Sequence, residues 1–579
     1  MLKRAEPGVA EGTAASSTGH GGSAEVCAEP AGAADLHLQE LSSVMNAAID
    51  SMGAGPYQLI ALLFGGGVYM AEGSFLLMLS IVAKGLIVKW DLSPWLAGAM
   101  ASVLFGGLIV GTVAGGFACD RHGRRMPILV TYLGIAVFTF VGILAPGLLP
   151  LLAAKFMLGI CLGFGVPASN AIVAESCPPS HRSNIYCMTM VLFSMGQLYS
   201  ATIVWVMNPT LHHDDMEWRG MMAAAALLPS LLLVLAYFFL LESPHWLMLN
   251  GRISEARDVI TAMHDYKQAD SNGQGLATLR NFQALTMHLR TPAAAARGGF
   301  GGLGDGEAQD TEDTPLLKKD GDGGSQGSQT RLQKMREALL SDLDRVSCLF
   351  SPTYRLTTAL MLYVTCASNF AYYGMIYGLP DTLQKAYLEE EGSWSPAAGL
   401  IVAALFEIPG VFIAVVLGAT IGRRLNMSVA FFGCACFLVC TVCALSAGKI
   451  TDSEGMLSVL GVKLFLATGY IIVYLYLLEC YPTKFRATGL AFCMVLGRLG
   501  AACCPVLYDG MQIMRISPVW FFVIMACMMA GAGAACCVLP YETKDASLEE
   551  DAPPGTTRAI DVTPLLTPGS DRLERGNSS

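Results

Sequence analysis

Residues 479–489 read ECYPTKFRATG, and residues 175–182 read ESCPPSHR. Each sets an acid before a proline at the third following position and an arginine at the seventh. Glu175, Pro178 and Arg182 are echoed by Glu479, Pro482 and Arg486, an offset of 479 − 175 = 304 residues. A carboxylate ending one helix can pair with a guanidinium starting the next, the proline stopping the helix between them. Two other ionisable residues lie inside long apolar runs: Glu72 in GGGVYMAEGSFLLMLS and Arg498 in MVLGRLGAACCP. Charge at that depth is expensive and points to function. Glu72 can carry a proton between two faces, or be an acid satisfied by neighbouring helices. Arg498 cannot shed its charge, so it invites a carboxylate, sulfonate or phosphate, or pairs with an acid such as Glu72 or Glu407.

The chain that positions these residues is 579 long, 53% hydrophobic and only 14% charged, with mean hydropathy +0.50. Soluble domains carry about 25% charged residues, and a water-facing fold this apolar would expose large greasy patches. Lipid is therefore the expected surroundings. Runs long enough to cross roughly 30 Å of hydrocarbon fall at 57–83, 93–118, 126–145, 149–173, 185–207, 220–241, 354–380, 396–421, 427–447, 455–478, 487–508 and 518–539. Such spans close their own backbone hydrogen bonds as helices, so the expected fold is an all-α membrane protein of twelve transmembrane helices. With the N-terminus in the cytosol, Arg121, Arg124, Arg125, Arg182, Arg423, Arg424, Lys484 and Arg486 fall in cytosolic loops, as the positive-inside bias requires.

Composition divides the chain further. Residues 1–50 are rich in Ala, Gly, Ser and Glu and read as a disordered cytosolic tail, as do 546–579. Residues 51–250 and 351–545 would each form a six-helix bundle. The cytosolic loop between them, 251–350, holds a Gly-rich insert and, in RLQKMREALLSDLDRV, apolar residues at helical spacing that predict an amphipathic helix. The 18 cysteines fall mostly in the spans and read as packing residues rather than a disulfide framework. No CxxC metal pair, nucleotide-binding glycine loop or nucleic-acid patch is present. No cofactor or metal is expected.

The acid–proline–arginine echo is one of several. DRHGRR at 120–125 answers to TIGRR at 420–424, with Gly123 and Gly422 separated by 422 − 123 = 299 residues. Glu242 in ESPHWL and Glu542 in ETKDASL are 300 apart. Offsets near 300 imply two parallel six-helix repeats, an arrangement found in alternating-access carriers. The motifs carry a family resemblance. GGFACDRHGRR resembles the loop between the second and third helices of the major facilitator superfamily. ESPHWLMLNGR resembles the end of the sixth helix in sugar porters and organic ion transporters. NFAYYGMIYGLP and VKLFLATGYIIVYLYLLECYPTKFRATG resemble the seventh and tenth helices of organic ion transporters and synaptic-vesicle-type relatives.

That resemblance implies a pseudo-symmetric fold of two six-helix bundles and a secondary active transporter. It also implies a cytoplasmic gate in which Asp120, Arg121, Gly123, Arg124, Arg125, Glu175, Arg182, Glu242, Arg423, Arg424, Glu479 and Arg486 form ion pairs that latch the halves and break when the protein opens inward. The second half lacks the Asp of the loop, so the latch would be asymmetric. Candidate substrate or coupling residues are Glu72, Asn170, Gln197, Asn369, Tyr372, Tyr373, Tyr377, Glu407, Tyr470, Tyr474 and Arg498. Tyr470 and Tyr474 are four apart and share a helix face; Pro409 and Gly410 after Glu407 predict a kink. Lys463 reads as a residue snorkelling to the far face.

Glu72 and Arg498 together favour a proton-coupled carrier of a small organic anion. A sugar or polyol is the alternative substrate, and a transport-dead vesicle-membrane receptor or structural protein the alternative class. EDTPLL at 312–317 and DVTPLL at 561–566 fit an acidic dileucine pattern, with Glu312, Leu316 and Leu317, and Asp561, Leu565 and Leu566, offered to sorting adaptors. They suggest a vacuolar, lysosomal or vesicular membrane, with the plasma membrane as the alternative.

Overall fold

An apolar chain in lipid must satisfy every backbone N–H and C=O internally, and this one does so as helices. The computed structural model describes residues 55–178, 182–213, 216–265, 346–390, 395–450, 452–481 and 486–543, with Met45 and Ile49. The Gly-rich insert, the expected amphipathic helix, both dileucine patterns and most of the two tails lie outside these residues, as do Pro482 and Lys484. The first half contains α1 (Pro56–Lys89), α2 (Trp95–His122), α3 (Arg125–Leu144), α4 (Leu148–Glu175), α5 (Arg182–Met207) and α6 (Trp218–Phe239). The second contains α7 (Arg355–Glu390), α8 (Pro396–Thr420), α9 (Arg423–Ser446), α10 (Ser453–Cys480), α11 (Arg486–Ile513) and α12 (Val519–Val538).

Eleven of these are long and apolar enough to cross a membrane. The twelfth, α7, has the length, with 36 residues, but carries Thr365, Ser368, Asn369 and three tyrosines that turn into the protein, all buried. The protein is thus a multi-pass integral membrane protein. Large apolar side chains such as Phe117, Leu149 and Phe238 stand exposed on its outside, where lipid replaces water.

Each half is packed tightly by small residues. Gly107, Gly111 and Gly115 recur every fourth residue on α2, and a Cβ at any of them would overlap the backbone carbonyl of Phe156, Ile160 or Phe164 on α4. Without a hydrophobic force between helices in lipid, such close backbone approach supplies the attraction.

The repeat is visible in bonds as well as in sequence. Glu242 caps α3 by accepting from the backbone N–H groups of Arg124 and Arg125. Glu542 caps α9 through Arg423 and Arg424 in the same way. Carboxylates at helix N-termini satisfy otherwise orphaned N–H groups and oppose the helix dipole. Gly123 and Gly422 precede the caps with φ of 89° and 43°, a region that favours glycine. Arg125 and Arg424 then each donate to a carbonyl of the last helix of their own half, Tyr237 and Cys537.

Two further features lie outside the membrane spans. Met45 and Ile49, assigned from composition to a disordered tail, are helical and fully buried beside Trp246, Ile260 and Met263. The inter-half loop also begins with a helix, Ile253–Asp265, whose Ala256, Ile260 and Met263 complete that cluster.

Candidate functional site

The two halves meet along a seam of α1, α2 and α5 against α7, α8, α10 and α11. Glu72 sits near the middle of α1 with no exposure, Arg498 near the middle of α11 at 6%. They pair across the seam, Arg498 Nη1 donating to Glu72 Oε1 at 2.5 Å and to the Tyr373 hydroxyl at 2.6 Å. Tyr373 donates in turn to the same Glu72 oxygen, at 3.4 Å. The other oxygen of Glu72, Oε2, is buried with no hydrogen-bond partner among the described residues. Glu72 and Arg498 therefore line one narrow cavity, walled by Tyr69, Phe193, Tyr372, Tyr373, Tyr470 and Tyr474.

The tyrosines of the wall pack against one another. Tyr372 stacks on Tyr470 at 4.6 Å between centroids, and Tyr470 meets Tyr474 edge-on at 5.0 Å. Their hydroxyls are already bonded inside the protein. Tyr470 donates to Asn369, Tyr474 donates to Tyr470, and Asn369 donates to Tyr474. Tyr69 donates to Asn170 at 2.8 Å. Asn170 and Asn369 thus orient the tyrosines and so shape the cavity.

A second buried ion pair lies beside the first. Glu407 on α8 accepts from Lys463 on α10 at 2.6 Å through one oxygen. Through the other it accepts from Gln197, Ser194 and Tyr372 at 2.7, 2.9 and 2.9 Å. Gln197 and Ser194 belong to α5, so this node also ties the halves together. Lys463 is 3% exposed and does not snorkel to a face. Burial of Glu407 leaves a charge that only an internal cation can balance. Pro409 lies inside α8, which runs on as one helix.

Tyr377 stands apart from the other cavity tyrosines. It donates to Asp509 at 2.7 Å, toward the end of the molecule remote from the basic loops.

At the basic face, each charge cluster closes on its own half. Arg124 pairs with Glu175 at 3.0 Å and Arg423 with Glu479 at 3.2 Å; Ser243 and Thr543 donate to the same two acids. Asp120 and Arg121 are exposed, Asp120 lying 4.0 Å from Arg124. Among the described residues, the two arginine–glutamate pairs at this face each lie within one half. The side chains of Arg182 and Arg486 lie outside the described part.

The family model described as sugar (and other) transporter matches residues 62–284 and 307–552. The chain belongs to that family, within the major facilitator superfamily. Among curated proteins the transporter is 26% identical to organic cation/carnitine transporter 7 of Arabidopsis thaliana, over 87% of this chain and 95% of that one. It is 25% identical to the synaptic vesicle 2-related protein of Bos taurus, over 87% of this chain and 82% of that one. Among solved structures it is similar to the inward open xylose transporter XylE of E. coli, with a TM-score of 0.60 and 16% identity, covering 85% of this chain and 98% of that one.

Proposed function

We propose that this transporter carries a small organic anion together with a proton by alternating access, its basic loops facing the cytosol. The observation that carries the reading is the Glu72–Arg498 pair, which spans the two halves inside the cavity and leaves one carboxylate oxygen without a partner. With the cavity empty, the two charges neutralise each other. A proton taken up on Glu72 Oε2 removes the negative charge and frees the guanidinium, which can then accept a carboxylate in two-pronged geometry. A proton and a monovalent anion entering together leave the cavity neutral, so neither crosses the low-dielectric interior as a net charge. When both leave, Glu72 pairs with Arg498 again and the empty carrier can return.

A second reading draws on the same geometry. The unpartnered oxygen of Glu72 in an aromatic-lined cavity suits an ammonium group, and one relative is named for organic cations and carnitine. A zwitterion would use Glu72 and Arg498 at once. A sugar fits less well, because the hydroxyls of Tyr69, Tyr372, Tyr470 and Tyr474 already have protein partners.

Proteoliposomes with an internal pH dye distinguish these. Aryl and alkyl carboxylates, a quaternary ammonium, a zwitterionic betaine and a hexose are added in turn. The expected result is proton movement with carboxylates, abolished in Arg498→Ala. Glu72→Gln, a fixed imitation of the protonated acid, should retain anion exchange while losing proton movement. Carboxylate transport surviving Arg498→Ala would overturn the anion site; proton movement surviving Glu72→Gln would overturn the coupling role.

A further inference from the structure

At the end of the seam remote from the basic loops, one lysine of the first half enters a socket built by the second. Lys84, near the end of α1, forms an ion pair with Asp509 on α11. Its side chain is 11% exposed and that of Asp509 1%. The Lys84 ammonium also lies over the rings of Tyr377 and Tyr508, 5.7 and 5.4 Å from their centroids. Tyr377 donates to Asp509 at 2.7 Å; Tyr508 donates to Asp381 at 2.8 Å, and Asp381 is braced by Lys385 and Gln512 at the same distance. All the socket residues belong to α7 and α11. Lys84 reaches them from the first half, beside Ser80, Leu211 and His213.

The surrounding contacts close the same end. Ser102 on α2 donates to the Ala502 carbonyl on α11 at 2.6 Å, and Ser80 on α1 to the Ile376 carbonyl on α7 at 3.4 Å. Gly98 on α2 is apposed to Pro505 of α11, where a Cβ would stand 2.7 Å from the carbonyl oxygen. These are neutral contacts that tolerate being parted, each group finding water in exchange. Lys84–Asp509 differs, because separation leaves a buried carboxylate without its cation unless water enters at that moment.

We propose that Lys84 is the outer gate of the carrier: a cation on the first half that plugs a carboxylate–aromatic socket on the second, and whose withdrawal opens the cavity to the outer side. The socket residues Asp509, Tyr377 and Tyr508 hold the lysine by charge and by ring faces together, while Asp381 fixes Tyr508 in place. The gate is independent of which solute the cavity takes.

Hydrogen–deuterium exchange of the full chain in lipid nanodiscs tests this without knowledge of the substrate. In the wild type the outer ends of α1 and α11, residues 77–90 and 503–514, should be protected. Lys84→Met and Asp509→Asn should each raise exchange there and lower it at the basic ends of α4, α5, α10 and α11, a shift of about tenfold in the ratio of the two states, within the usual range for coupled sites. The charge-reversed double variant, Lys84→Asp with Asp509→Lys, should restore protection. The proposal is overturned if the outer ends stay protected in Lys84→Met. It is overturned equally if exchange rises at both faces alike and the reversed pair fails to restore it, since the pair would then be a structural brace.

Discussion

Replacing Lys463 with methionine keeps the length of the side chain and removes its charge, leaving Glu407 fully buried without a cation. Three donors remain, from Ser194, Gln197 and Tyr372. Breaking a buried pair by removing one partner costs about 3–5 kcal/mol, and neutral hydrogen bonds worth about 1 kcal/mol each are already present in the wild type, so they offset little of the loss. The expected cost of Lys463→Met is about 3 kcal/mol, a factor of roughly 150 in the folding equilibrium. Adding Glu407→Gln removes the stranded charge while the amide oxygen can still accept from the same donors. The double variant should therefore lie within about 1 kcal/mol of wild type, recovering about 2 kcal/mol of the loss. Unfolding in mixed micelles, followed through the seven tryptophans, measures all three proteins. If Lys463→Met alone is as mild as the double variant, the lysine is not the counter-ion of Glu407 and the pairing argument fails.

Two further predictions concern the repeats and the packing within a half. Glu242→Gln and Glu542→Gln each weaken a helix cap fed by two backbone N–H groups; each should cost about 1 kcal/mol, near-equal in the two halves, and unequal losses in the same unfolding assay would contradict the equivalence of the caps. Gly111→Val places a branched side chain against the Ile160 carbonyl on α4 and should abolish stable folding, measured as loss of the monodisperse peak in gel filtration, whereas a valine at Gly116, which has open space around it, should be tolerated.

Hydropathy located the helices well and the charges badly, for one reason. The apolar runs 57–83, 354–380 and 487–508 each stop one residue before a charge, at Lys84, Asp381 and Asp509. In the structure α1, α7 and α11 continue to Lys89, Glu390 and Ile513, so the outer socket is built of residues that segmentation by hydropathy assigns to loops. An ionisable residue ends an apolar run on paper, but a helix continues through it when another helix supplies the opposite charge. Glu72, Arg498 and Glu407 were legible because apolar residues flank them on both sides. The pairing of Arg498 with Glu72 stands in the sequence only as one of two alternatives, beside Glu407, since 426 positions separate the two residues. The equivalence of Glu242 with Glu542 was readable from the offset of 300, whereas their role as helix caps required the fold.

The distribution of polar contacts suggests how the molecule can rest in two arrangements. Within the first half, α2 against α4 shows the alternative: backbones in near contact through glycines, a fit that any sliding would forfeit. Between the halves the seam instead carries Glu72–Arg498, the Glu407 node and Lys84–Asp509. A buried ion pair returns in attraction roughly what it loses in desolvation, so it holds register without large net stabilisation. If water enters as such a pair parts, the two hydrated ions are not far above the closed pair in free energy. A seam of apolar side chains fitted as closely as α2 and α4 would favour one arrangement too strongly for a ligand to reverse, because a ligand shifts an equilibrium only by its differential affinity. Rigid halves joined by exchangeable charge pairs are thus what a carrier needs if a bound proton and solute are to decide which face is open.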